Sequence, residues 1–204
     1  MKNWKNKTVT IMASGPSLCA DDVCYAYLNS HKVIAINETW RLCPGADVLY
    51  GSDRDWWKLR APSSFLFTGE RWSQEIGWKN KNELHPKVNL APSNTGTRIT
   101  EQFPLSVGAN SSFAAMCLAI VWGSRKIVFL GLDMQLGKKS HWHGDHEEPL
   151  RNTSVFSYPN FADNFVQAAP QLKAMGVTVI NASRNTALDC FPRMSIQDAL
   201  PENI

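Results

Sequence analysis

Three of the five histidines fall in one short segment, Ser140-His141-Trp142-His143-Gly144-Asp145-His146. Imidazole is the side chain whose ordinary pKa lies nearest neutrality, so it suits general-base work and metal ligation. Read literally, the segment is H-x-H-x-D-H, a pattern able to hold two zinc ions and orient hydroxide. Such a centre needs further histidines downstream, and none follows His146. The segment also follows a polar stretch, Gly137-Lys138-Lys139-Ser140, instead of a strand tip. No metal ligands are therefore assigned. The reading adopted is a lid loop over 134–160 that carries one catalytic histidine and cations for a phosphate leaving group. A solvated polar loop is the plain alternative.

A second chemical signal lies near the start. Val9 to Leu18 reads V-T-I-M-A-S-G-P-S-L, an apolar run that stops at a Gly-Pro-Ser turn. A buried strand that breaks at glycine and enters a helix gathers backbone N–H groups and a positive helix end. Gly15 allows close approach of a ligand, Pro16 suits a first helical turn, and Ser17 can cap the helix. The spacing is not G-x-G-x-x-G, so the dinucleotide fingerprint is absent. A turn without a ligand is the competing reading. A second glycine turn, Val107-Gly108-Ala109-Asn110, opens a helix at Ser111-Ser112 and is a second candidate anion nest.

These residues need a frame to bring them together. The chain has 204 residues, enough for one sizeable core, and the expectation is a single domain over 1–204. It is 44% hydrophobic and 19% charged with net charge +3, ordinary for a soluble protein and compatible with an anionic ligand. No stretch is long enough to span a membrane. No signal peptide is read at the N-terminus, so a cytoplasmic location is expected. The five cysteines show no C-x-x-C and read as reduced thiols.

Strands are read at Thr8–Ala13, Lys32–Asn37, Asp47–Gly51, Ser64–Thr68, Lys87–Leu90, Lys126–Gly131 and Val177–Asn181. Helices are read at Ser17–Asn29, Ser111–Trp122 and Asn160–Met175, with Pro170 breaking or kinking the last. Continuous apolar strands alternating with helices predict an α/β, doubly wound, mostly parallel, Rossmann-like sheet. In such sheets ligands sit beyond the carboxyl ends of the strands. The polar residues there are Ser14-Gly15, Asn37-Glu38-Thr39, Gly51-Ser52-Asp53, Gly131-Leu132-Asp133 and Asn181-Ala182-Ser183. Each alone is an ordinary turn residue. Together they predict one polar rim. The Trp56-Trp57 pair is read as packing of an irregular segment, with the floor of an acceptor pocket as the alternative.

In this order, the motifs carry a resemblance. They are Ala13-Ser14-Gly15-Pro16-Ser17-Leu18, Ile36-Asn37, Asn110-Ser111-Ser112, Gly123-Ser124-Arg125-Lys126-Ile127-Val128-Phe129-Leu130-Gly131-Leu132-Asp133, and the histidine loop. The chain resembles the bacterial CMP-sialic-acid-dependent sialyltransferases, including short phage and prophage members of that superfamily. It is equally similar to hydroxymethyl-dihydropterin pyrophosphokinase-type proteins. The resemblance implies that Ser14, Gly15 and Ser17 meet nucleotide phosphates, and that Asn37 sits near the reacting sugar. It further implies that Asn110, Ser111 and Ser112 border the nucleotide, and that Asp133 contacts ribose or base. His146, with His143 second, is the implied general base. Trp142 replaces a phosphate-directed tyrosine, which leaves that task to Lys138, Lys139 or Arg151. Gly51-Ser52-Asp53 departs toward the pyrophosphokinase side and makes Asp53 a candidate nucleotide or Mg²⁺ contact.

The implied function is a nucleotide-dependent transferase, foremost a glycosyltransferase using a CMP-type or other nucleotide-sugar donor and a hydroxyl acceptor, without a cofactor. The alternatives are Mg²⁺-dependent diphosphoryl transfer from ATP, and a non-catalytic nucleotide- or sugar-binding module. A homo-oligomer is compatible with all three.

Overall fold

A computed structural model describes residues 2–60, 66–78 and 87–202. In chain order the elements are β1 (Thr8–Met12), α1 (Ala20–Asn29), β2 (Lys32–Ile36), β3 (Val48–Tyr50), α2 (Arg54–Arg60), β4 (Glu70–Gln74) and β5 (Val88–Ala91). They continue with β6 (Ser93–Asn94), β7 (Leu105–Ser106), α3 (Ser111–Val121), β8 (Lys126–Leu130), α4 (Tyr158–Ala174), β9 (Thr178–Asn181) and α5 (Ile196–Ala199). Seven strands form a sheet in the order β5-β4-β3-β2-β1-β8-β9, and β6 pairs β7 separately. Every neighbouring pair in the large sheet is parallel.

The apolar runs form central strands because side chains alternate between two buried faces. Val9 and Ile11 of β1, Ile34 and Ile36 of β2, and Ile127 and Phe129 of β8 pack with α3 and α4. Their neighbours Met12, Val33, Ala35, Val128 and Leu130 pack on the other face with α1, α2 and α5. Helices thus cover both faces, as a doubly wound α/β fold requires. Helix α3 is buried from Ser112 to Val121, which fixes its N-terminus against the sheet. Among the described residues no helix is long and apolar enough to cross a membrane. All five cysteines are free thiols.

Several elements differ from the sequence reading. Ser64 and Phe65 of the expected fourth strand lie outside the described residues, and Leu66–Thr68 forms no strand. The strand comes later, at Glu70–Gln74. Trp56 and Trp57 belong to helix α2, not to an irregular segment, and both are buried. Helix α1 begins at Ala20 behind Cys19, so Pro16 and Ser17 precede it and Ser17 does not cap it. Helix α4 starts at Tyr158 and runs through Pro170 without a break.

Arg184 closes the α1 side of the fold by donating Nε and Nη2 to both carboxylate oxygens of Asp22, at 2.7 and 2.9 Å. This bidentate pair holds the Asp22 carboxyl below its ordinary range. A depressed carboxyl stabilises the fold above its unfolded value, about 3.9, and loses that contribution as pH falls through the folded value. Asp22→Asn is therefore expected to be less stable than the parent at neutral pH. Its deficit should close below about pH 4. Urea midpoints measured down that pH range check this, and a constant gap would detach stability from the pair.

Candidate functional site: a polar cleft at the divergence of β1 and β8

From β1 the chain winds outward through β2 to β5, and from β8 it winds the other way to β9. Adjacent strands whose connections depart in opposite directions leave a crevice at their carboxyl ends. A cleft of about 630 Å³ opens there, a size suited to a small molecule. Ser14 and Gly15 line it from β1, Asn37 from β2, and Asp53 from β3. Asn110, Ser111 and Ser112 line it from the start of α3, and Asp133 and His146 from the β8 side. Ser17 and His143 stand behind this lining and contact Asp133 and the other loop histidines respectively.

The turn after β1 is pinned on both sides. Ser14 Oγ donates to the Ile36 carbonyl at 3.1 Å, and Gly15 N donates to the Gly131 carbonyl at 2.9 Å. Ser17 N and Oγ donate to the two carboxylate oxygens of Asp133 at 2.7 and 2.6 Å. Burial raises the Asp133 carboxyl above its ordinary range, and the Ser17 bonds oppose that rise. A Cβ on Gly15 would lie 2.6 Å from Asp133 Cγ and closer still to the Gly131 carbonyl, so no other residue fits. Asn181 and Ser183 do not reach the cleft. They brace it from behind, through Ser183 Oγ, which accepts from Leu132 N at 2.8 Å, and Asn181 Nδ2, which donates to Leu132 O at 3.3 Å.

The opposite rim belongs to α3. Asn110 caps it, accepting from Ser112 N at 2.9 Å and Phe113 N at 3.3 Å. Ser111 Oγ accepts from Ser52 N at 3.1 Å and ties this rim to the end of β3. Asp53 caps α2, with Oδ1 accepting from Asp55 N at 2.7 Å. Glu38 leaves the rim. It is buried and ion-paired to Arg41 at 2.9 Å and Arg60 at 2.8 Å.

Backbone strain gathers at this cleft. Asn37, Ala109 and Met134 have φ of 47°, 50° and 50°, and all three line it. Such conformations cost about 1–3 kcal/mol each and persist where surrounding structure enforces them, most often at functional sites. Asn37 Oδ1 is also buried with no hydrogen-bond partner.

The histidine segment lies in an irregular stretch that ends at Ser154. Trp142 anchors it, with its backbone N donating to Ser14 O and its indole Nε1 to Thr39 Oγ1, both at 3.1 Å. His146 is held by its backbone, N to Asn152 Oδ1 at 2.6 Å and O from Asn152 Nδ2 at 3.2 Å. The rings of His141, His143 and His146 have centroids 4.7 to 5.1 Å apart. Burial, with the neighbouring imidazoles, pushes His141 and His143 down to about 4. Burial also lowers His146. All three are therefore neutral at neutral pH and keep a lone pair on one ring nitrogen.

Of the three proposed cations, Arg151 lines the cleft and Lys138 and Lys139 do not. Sequence reasoning missed Tyr158, Asn164 and Gln74 in the walls, while Trp56 lines the cleft from α2, in line with the alternative reading of its pair. Tyr158 opens α4, and Asn164 Nδ2 donates to Gly108 O at 2.8 Å, bracing the glycine turn. The first-turn position of Tyr158 in an amphipathic helix carries no polar-rim signal, so spacing alone does not find it. Comparison with family models, with curated proteins and with solved structures gives no match to this chain.

Proposed function

We propose that the cleft binds a nucleotide-activated donor and transfers a group from it to an acceptor hydroxyl, foremost the sugar of a nucleotide-sugar. The observation that carries this is the convergence of the Ser14-Gly15 turn, the N-terminus of α3 and a histidine with lowered pKa on one crevice at the sheet's divergence point. The donor phosphates meet Gly15 and the Ser111 end of α3. Asn37, with its unpartnered oxygen, orients the sugar. His146 takes the proton from the acceptor hydroxyl as that oxygen attacks the anomeric carbon. The bond from that carbon to the phosphate oxygen breaks, and the phosphate leaves with the electron pair. Arg151 and Tyr158, which line the cleft, supply the groups that meet the departing charge, since the indole of Trp142 is committed to Thr39.

Diphosphoryl transfer from ATP is less favoured. It needs Asp53, Asp133 and Asp145 to hold Mg²⁺, yet Asp133 bonds Ser17 through both oxygens, Asp53 caps α2, and Asp145 is exposed outside the cleft lining and accepts from Ser140 N. The test is a thermal-shift screen with CMP, UDP, GDP, ATP and their sugars, with and without Mg²⁺. A fitting nucleotide at a hundredfold over Kd adds about 2.7 kcal/mol. Binding only in the presence of Mg²⁺ would favour the diphosphoryl reading. Binding without turnover across acceptor hydroxyls would reduce the cleft to a binding module, and no shift with any nucleotide would end the proposal.

A further inference from the structure

The histidine segment has a second capability that general-base catalysis by His146 leaves unused. His141, His143 and His146 offer ring nitrogens that all lie within 4.8 Å of one another. A tetrahedral ion held at about 2.0–2.1 Å by three imidazoles needs those nitrogens about 3.3 Å apart. Binding therefore requires the rings to turn about χ1 and χ2 toward one another.

An observation besides this grouping points to a ligand there. His143 Nε2 is buried with no hydrogen-bond partner, a state that costs about 1–3 kcal/mol if nothing fills it. The surrounding charges permit a cation. Arg41 and Arg60 lie near, but both are paired to Glu38, and Asp53 and Asp145 also act on the trio. Nitrogen donors without water-like oxygens select the zinc class over magnesium.

We propose that His141, His143 and His146 form a site for one divalent d-block cation of the zinc class, with its fourth position open to the cleft that His141 and His146 line. This goes beyond the transferase reading and does not rest on it. Where both hold, the ion occupies the lone pair that His146 needs as a base, so metal occupancy is an off state for transfer.

The experiment titrates chelator-stripped full-length protein with Co²⁺, then competes the ion out with Zn²⁺. The expected result is one equivalent bound, a visible absorption of tetrahedral Co²⁺, and no near-ultraviolet thiolate band. Mg²⁺ should not compete. His141→Ala and His143→Ala should each weaken binding beyond the ~10- to 100-fold that loss of a supporting contact costs. His31→Ala, whose ring accepts from Thr8 N at the far end of β1, should bind as the parent does. Urea denaturation of each variant verifies folding, and His143→Asn serves if His143→Ala is unfolded. No bound ion, a thiolate band, or unchanged affinity in folded His143 variants would overturn the site. Nucleotide binding is measured separately on metal-free protein, so failure of the transferase reading leaves this result standing.

Discussion

His146→Ala is expected to lower turnover by ~100- to 10,000-fold, the worth of a positioned general base, while the nucleotide Kd stays nearly unchanged. The prediction follows from how the residue is held. Its place in the loop is set by two backbone bonds to Asn152, at 2.6 and 3.2 Å, which survive loss of the ring. Burial keeps the imidazole neutral, so the lost group is a proton acceptor and not a charge. The assay is run with a chelator, so that an ion on the trio does not enter the comparison. A nucleotide Kd weakened as far as turnover would mean that His146 holds the donor. Unchanged turnover would move the base elsewhere.

Gly15→Ala is expected to have the larger effect on the protein as a whole. The added methyl would meet Asp133 Cγ at 2.6 Å and the Gly131 carbonyl still closer, and neither can retreat. Asp133 is fixed by two bonds from Ser17, and Gly131 by the Gly15 amide itself. The carboxyl ends of β1 and β8 must therefore part. Overpacking of this kind costs about 1–3 kcal/mol, and the Gly15–Gly131 bond, worth about 0.5–1.5 kcal/mol, goes with it. The urea midpoint should fall by the corresponding amount, and nucleotide binding should be lost even in the fraction that stays folded. Gly144→Ala is the comparison, since nothing lies within 4 Å of its Cβ position and only its φ of +102° opposes the change. Native nucleotide affinity in Gly15→Ala would show that no phosphate approaches this turn.

The framework was legible where physics made the pattern simple. β1, β2 and β8 are buried on both faces and therefore read as unbroken apolar runs, and α3 reads as a helix with no polar face. Their ends then indicate which residues meet. β4 was hidden because its sequence, Glu-Arg-Trp-Ser-Gln, is polar although Arg71 and Ser73 are buried. Arg71 Nη2 satisfies itself on the Phe67 carbonyl at 2.9 Å, a solution invisible to hydropathy. α2 was hidden by charged residues on either side of the two tryptophans, although Asp53 at its start was a capping signal. At the site, the strand-end rule placed Ser14, Asn37 and Asp133 on one rim. The rule is silent on histidines, because the chain between β8 and α4 has no periodicity to read. The turn through Gly144, with φ of +102°, folds His141, His143 and His146 onto one another.

Trp142 joins that irregular chain to the end of β1 through the carbonyl of Ser14, and to the residues after β2 through Thr39. The three histidines thus hang from an irregular segment fastened by Trp142 and by Leu150, which is buried in the core, while the sheet beneath is fixed by its own packing. Substitutions between Gln135 and Ser154 can reshape the cleft wall with little toll on the scaffold, provided Trp142 and the buried Leu150 stay. Diversification among descendants of this chain should therefore concentrate in that span and spare Trp142 and Leu150.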